Sequence, residues 1–166
     1  MTFRAKGLLI LGVSVVGVVL DQVTKVTARG ILEGQPPFVT LWGILTFRWV
    51  ENPGAFLSLG ASLSPAVRTA LFTVLVAIVL GMLVVSTLAR SDATRGEAWA
   101  VALVVAGGIG NLIDRVLYGR VRDFANLKVG PLSTGVFNVA DMAITAGGVV
   151  LLLVLIAGWR RKEPRS

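Results

Sequence analysis

The chain has 166 residues, enough for one domain, with 55% apolar residues, only 15% charged ones and a mean hydropathy of +0.82. A soluble domain carries about a quarter charged residues, so this deficit places the apolar excess in lipid rather than in a large aqueous core. The net charge of +7 does not point to nucleic acid, because the 16 Lys and Arg are scattered around hydrophobic runs; the absence of Cys and His excludes thiol nucleophiles, Ser-His pairs, His-based zinc sites and structural disulfides.

A hydrocarbon core about 30 Å thick takes roughly 20 apolar residues per helix. Four stretches of that kind predict transmembrane helices at about 7–28, 66–89, 98–117 and 136–159. The first is apolar to Leu20 and then carries Asp21, Gln22 and Lys25. It also has an alternative reading as a cleaved signal peptide, since Arg4 and Lys6 precede it and Val26-Thr27-Ala28 weakly fits a cleavage site, although Asp21 and Lys25 suit a cleavage region poorly. Between the first two helices, Val39 to Val50 is rich in β-branched and aromatic residues with Gly43 at a possible turn, which predicts a short hairpin or small sheet at the membrane surface. Asn52-Pro53-Gly54 reads as a turn. The second helix has Arg68 near its start; the third carries Asp114 and Arg115 near its end; Gly119 to Gly135 reads as irregular; the fourth carries Asp141 near its start. Trp42, Trp49, Trp99 and Trp159 fall at segment ends or in the first long loop, as an interfacial aromatic belt would, with core packing the other reading for Trp42 and Trp49.

Orientation is nearly a tie, because Lys and Arg divide evenly between the two sides; the dense tail Arg160-Arg161-Lys162 favours cytoplasmic termini. Depth is more informative. At ~1.5 Å per residue, Asp21 lies about 9 Å from the outer face, Asn111 about 10 Å and Asp141 about 7 Å. Three helices thus place polar groups at one level, and Asp123 follows the third helix closely enough to fold back onto it. Face patterns agree: Ser14, Gly17, Asp21, Thr24 or Lys25 and Ala28 on the first helix; Gly107, Asn111, Asp114 and Tyr118 on the third; Asn138, Asp141, Thr145 and Gly148 on the fourth. Small residues at this spacing are also ordinary packing contacts, which is the reading for Ala102, Ala106 and Gly110. Asp21 with Lys25 reads as an i, i+4 ion pair, and Asp114 beside Arg115 as either positional or chemical. Acids at one depth inside lipid point to function.

The motifs Asp21-Gln22-Val23-Thr24-Lys25, Asn52-Pro53-Gly54-Ala55, Gly107 to Arg115, Val121-Arg122-Asp123-Phe124 and Phe137-Asn138-Val139-Ala140-Asp141 together resemble the lipoprotein signal peptidase family, also called signal peptidase II. They occur in family order across most of the chain. The resemblance implies an all-α membrane protein, a four-transmembrane-helix bundle with a small extracytoplasmic β-cradle, forming a single integral membrane peptidase domain over residues 1–166. It implies a multi-pass protein of the bacterial inner membrane with its active site toward the periplasmic face, acting on diacylglyceryl-modified prolipoproteins on the N-terminal side of the lipidated Cys. It makes Asp123 and Asp141 the catalytic pair and carries Asp21, Lys25, Asn52, Gly54, Asn111, Asp114, Arg115, Asn138 and Ala140 as substrate-binding or site-supporting residues. No metal or other cofactor, no nucleic acid, membrane lipids as neighbours and a monomeric state are expected. Phe56, the non-aromatic loop from Ala125 to Val136 and Met142 depart from the family's usual residues, which bears on substrate preference.

The chemistry stands on its own terms. Two carboxylates and a water can hydrolyse a peptide: one, ionised, takes the water's proton, and the other, protonated, polarises the carbonyl and later protonates the leaving amine. Asn52, Asn111 and Asn138 can bind peptide backbone or orient the pair, and Arg115 can form a structural ion pair or reach a lipid phosphate. Other readings are a proton-coupled transporter using Asp21 or Asp141, a non-enzymatic scaffold, and a Ser-Lys peptidase using Ser58 with Lys25. Ser14 lies about 16 Å along the helix from Lys25, too far for that role. Gly108-Ile109-Gly110-Asn111 nearly matches the Gly-x-Gly-Asp motif of presenilin-type proteases but has Asn where the acid belongs.

Overall fold

The computed structural model describes residues 1–53 and 64–162, with only the backbone for residues 65, 68, 69 and 159–162. Gly54, Ala55, Phe56, Ser58, the Arg68 side chain, the Trp159 ring and the side chains of the basic tail lie outside the described residues. Among the described residues, four helices are long and apolar enough to cross a membrane.

Helix α1 (Phe3–Leu32) is capped by Thr2, whose hydroxyl accepts from the Ala5 N–H. Helix α2 (Pro65–Ala89) begins with Ser64 as cap and a proline in the first turn, where its missing N–H costs nothing. Helix α3 (Arg95–Tyr118) starts in a reciprocal box between Thr94 and Glu97 and ends at Gly119, whose φ of 71° suits glycine. Helix α4 (Val139–Lys162) follows. The predicted spans agree to within a few residues, except that Val136 to Asn138 lie before α4 rather than in it. The reason is local: Asn138 and Asp141 cap each other, the Asp141 N–H donating to Asn138 Oδ1 at 2.9 Å and the Asn138 N–H to Asp141 Oδ2 at 3.2 Å.

Helix α3 is the hub, packing on α1, α2 and α4. Close approach rests on small residues, since lipid supplies no hydrophobic drive between helices. At Gly107 a Cβ would stand 2.1 Å from the Ala140 carbonyl oxygen, so α3 and α4 can meet only without it. Ala102, Ala106 and Gly110 are buried, as the packing reading expects. The stripe on α1 holds: Ser14, Asp21, Lys25 and Ala28 are buried, joined by Lys6, Ile10 and Leu32. Lys6 carries a cation no motif signalled; its Nζ donates to the carbonyls of Thr87 at 2.9 Å, Leu88 at 3.0 Å and Arg90, closing the orphan C-terminus of α2. On α4 the stripe is different from expectation. Thr145 and Gly148 are exposed, and Ala140 and Gly147 carry the contact with α3. Tyr118 is also exposed, its ring 4.4 Å from the Arg122 guanidinium.

The predicted hairpin is present as β1 (Phe38–Thr40) and β2 (Leu45–Asn52), turning through Leu41, Trp42 and Gly43, all at positive φ. Gly119 to Gly135 is not irregular: it forms β3 (Val121–Val129) and β4 (Leu132–Ser133). The four strands make one antiparallel sheet in chain order. A register irregularity in β2 between Phe47 and Val50 sets Val50 opposite Asp123. Trp42 at the turn is 97% exposed and Trp99 is exposed on α3, fitting an interfacial belt, whereas Trp49 is half-buried.

Candidate active site

Asp123 comes from β3, not from a loop, and Asp141 from the first turn of α4. Strand pairing with β2 and the bridge between Ala125 and Phe137 hold β3 against the mouth of the bundle. Asp123 is buried and Asp141 half-buried.

Three asparagines tie the two acids together. Asn111 Nδ2 donates to Asp141 Oδ1 at 2.8 Å. Asn138 Nδ2 donates to Asp123 Oδ1 at 2.6 Å and to Asn111 Oδ1 at 3.1 Å. Asn52, at the end of β2, donates from Nδ2 to Asp123 Oδ2 at 3.3 Å. The carboxyls are thus joined through Asn138, which contacts one by its side chain and the other by its backbone. Burial, with the charge of Asp141 second, pushes the Asp123 carboxyl up to about 6. Folding therefore favours its protonated form. That contribution is complete below the ordinary carboxylate value of about 4 and is lost as pH rises through about 6.

Beneath the pair lies a buried ion network. Lys25 Nζ stands 2.7 Å from Asp21 Oδ2, 3.0 Å from Asp114 Oδ2 and 3.1 Å from Asn111 Oδ1. Asp21 Oδ1 accepts from the Ala140 N–H at 2.9 Å, which explains why Ala140 belongs with the site although its side chain offers no chemistry. Asp114 Oδ1 is 2.6 Å from Arg122 Nη2, and Asp114 Oδ2 accepts from the Arg122 N–H at 3.0 Å. Gln22 bridges the carboxylates of Asp21 and Asp114 and the Arg122 guanidinium. The structure thus corrects the expectation for Arg115. Asp114 is already occupied by Lys25 and Arg122, and Arg115 forms no ion pair among the described residues, its Nη1 reaching only the Asn111 carbonyl at 3.4 Å. Sequence reasoning passed over Arg122 and Gln22 as site residues; the one signal was their place inside the motifs around Asp123 and Asp21. Of the expected residues, Asp21, Lys25, Asn52, Asn111, Asp114, Asn138 and Ala140 converge with the two acids, and Gly54 lies outside the described residues.

Chemically, the arrangement offers one buried and one half-buried acid, with N–H donors on all four carboxylate oxygens and an ion network holding Asn111. The family profile described as signal peptidase (SPase) II matches residues 13–157. A lipoprotein signal peptidase of Janthinobacterium sp. (strain Marseille) is 38% identical over 143 residues, covering 86% of this chain and 84% of its own. One from Geobacter sulfurreducens is 33% identical over 163 residues, covering 98% of each. A solved structure described as a bacterial membrane enzyme superposes with a TM-score of 0.81 at 27% identity, over 95% of this chain and 93% of that one. A match over so much of the chain, with the matched span carrying every residue of the network from Asp21 to Asp141, shows that the chain belongs to the signal peptidase II family.

Proposed function

We propose that this protein is an intramembrane aspartic endopeptidase that removes signal peptides from diacylglyceryl-modified prolipoproteins, cleaving on the N-terminal side of the lipidated Cys. The observation that carries the reading is the pair Asp123 and Asp141, brought from a strand and a helix onto the single residue Asn138. Two carboxyls this close, in a site short of water, cannot both ionise easily, which raises the share of the singly protonated pair. One carboxylate then takes a proton from water while the other supplies one at the scissile carbonyl. The transporter reading loses one of its two carriers, since Asp21 is pinned by Lys25 and the Ala140 N–H. Residues 1–166 act as one domain, monomeric in the bacterial inner membrane, with both helix-bundle termini cytoplasmic and the active site toward the periplasm. An introduced Cys after Arg161 is expected to resist labelling from the periplasmic side, and labelling there would reverse the orientation.

The lipid is part of recognition. Asp141 lies in the first turn of α4 and Asp123 is tied to it through Asn138, so the acids sit just under the outer face. A scissile bond there leaves the acyl chains of an adjacent lipidated Cys in the outer leaflet. Each buried CH₂ contributes about 0.8 kcal/mol to membrane retention, so lipidation concentrates and aligns the substrate. The test is side-by-side reconstitution with modified and unmodified precursor. The modified form is expected to be cleaved far faster; equal rates at matched membrane concentration would remove the lipid from recognition. Chelators are expected not to inhibit processing, and inhibition that added zinc reverses would contradict the two-carboxylate mechanism.

A further inference from the structure

We propose that the β1–β2 hairpin is a lipid-seated arm: phospholipid acyl chains of the leaflet on the sheet's side fill the crevice beneath it and receive its tip. The inference stands apart from the chemistry of the carboxylate pair. It starts from the turn. Leu41 and Trp42 hold φ of 50° and 53°, the left-handed region that Gly, Asn or Asp ordinarily fills. The backbone disfavours two large apolar residues there, and both are also left exposed, Trp42 almost wholly. In water neither loss is recovered. Against lipid the side chains recover it, and an indole suits the boundary between acyl chains and headgroups.

The tip is not isolated. Phe38, Val39 and Ile44 of the same hairpin are exposed, and the Lys128 N–H donates to the Ile44 carbonyl at 2.8 Å, which sets the β3–β4 turn beside it. That turn adds exposed Val129 and Leu132. One end of the sheet is thus an apolar patch outside the four helices, a surface of the kind that marks a membrane or protein contact. Lys128, exposed next to Val129, supplies a cation that suits phosphate headgroups.

The crevice decides for lipid. A space of about 490 Å³ opens between the C-terminal end of α1 and the sheet, with Thr24, Ala28, Ile31, Phe38, Phe47 and Phe124 on its walls. Among the described residues no charged side chain lines it, and the Thr24 hydroxyl is already given to the carbonyls of Leu20 and Asp21. Only Thr27 and Gln35 add polar side chains to the described lining. A peptide would find few partners there for its N–H and C=O groups, whereas an acyl chain needs none. Lipid is within reach: Arg29 and Glu33, half-exposed and 2.9 Å apart, mark the wet end of α1. At ~1.5 Å per residue, Thr24 lies about 7.5 Å inward of Arg29, on a stretch where Val23 and Val26 are exposed. The chain is bulk phospholipid rather than the substrate's own. Phe124 shares its side of β3 with Arg122, which reaches Gln22 of α1 at 2.8 Å, whereas Asp123 points the other way, to Asn138. The crevice therefore lies across the strand from the acid. Seated in this way, the hairpin holds β2, and through its register Asp123, over the mouth of the bundle.

The experiment uses the full protein in vesicles of phosphatidylcholine and phosphatidylglycerol. With Trp49→Phe, Trp99→Phe and Trp159→Phe, Trp42 reports alone from the tip; adding Trp42→Phe and Phe38→Trp moves the reporter to the crevice. Both indoles are expected to be quenched strongly by phospholipid brominated along its acyl chains and weakly by aqueous iodide. Should that background not accumulate, a nitroxide on Phe38→Cys in the otherwise unchanged chain, which has no other Cys, gives the same ranking from oxygen against a water-soluble nickel chelate. Changing the tip to Leu41→Asn with Trp42→Asn suits the turn better, so a purely local turn would keep or gain order. For a lipid-seated arm it is expected to reverse the ranking at 38, the aqueous quencher then winning. An aqueous quencher that wins at either position with the natural tip, or a ranking at 38 that the Asn pair leaves unchanged, overturns the proposal. Brominating only the chains of a lipidated precursor separates the sources. Quenching at 38 from the precursor but not from bulk lipid assigns the crevice to substrate, and protection from iodide by unlipidated precursor alone assigns it to peptide; either result overturns the proposal as well.

Discussion

Asn in place of either Asp123 or Asp141 is expected to cut turnover of a lipidated precursor by about 10³-fold or more per molecule of inserted protein. Each substitution removes one half of a shared mechanism. The loss should therefore not accumulate, and the double variant should be scarcely slower than either single one. The measurement is a processing rate at saturating precursor, normalised to protein recovered from the membrane. Near-normal turnover in either variant would take that residue out of the pair. Asp21→Asn and Asp114→Asn provide the contrast. Their oxygens face Lys25, Arg122 and backbone N–H groups rather than the mouth of the bundle, so any activity they lose should come with lost thermal stability.

That contrast shows where a sequence can and cannot be read. The four helices were legible because lipid demands about 20 apolar residues in a row, a constraint that acts on local composition. Their ends were less so, since caps such as Thr2, Ser64 and Asn138 act through single hydrogen bonds. On α1 the buried face could be read from Ser14, Asp21, Lys25 and Ala28, because polar residues mark it against an apolar background. On α4 the background is apolar all round, and the choice between Thr145 and Gly147 as the packing face depends on where α3 lies. Strand β3 was hidden for a related reason. Val121-Arg122-Asp123 through Lys128 has few of the β-branched or aromatic residues that mark strands, and its register comes from β2, about 70 residues earlier in the chain. Arg122 was hidden with it. Its partner Asp114 sits on the last turns of α3, and only the reversal at Gly119 brings the two within 2.6 Å. The adjacent Arg115, the obvious partner by sequence, forms no ion pair with Asp114 among the described residues.

Lys25→Met is expected to destabilise the protein by about 3–5 kcal/mol, the usual cost of removing one partner from a buried ion pair. Lys25 is fully buried, and the substitution changes little volume, so the loss is electrostatic rather than a cavity. The damage falls unequally on its two acids. Both keep Gln22, but Asp114 also keeps the Arg122 guanidinium and the Arg122 N–H, whereas Asp21, among the described residues, keeps only the Ala140 N–H besides. Asp21→Asn in the Lys25→Met background should therefore recover part of the lost stability, and Asp114→Asn should recover less. Thermal unfolding of the single and double variants in detergent reads this directly, and equal recovery from both would mean that the charge of Lys25 is shared evenly. Activity should not return with stability. Without the ammonium, Asn111 Oδ1 keeps the Asn138 Nδ2 donor but loses the charged one, so the donor aimed at Asp141 is held less firmly.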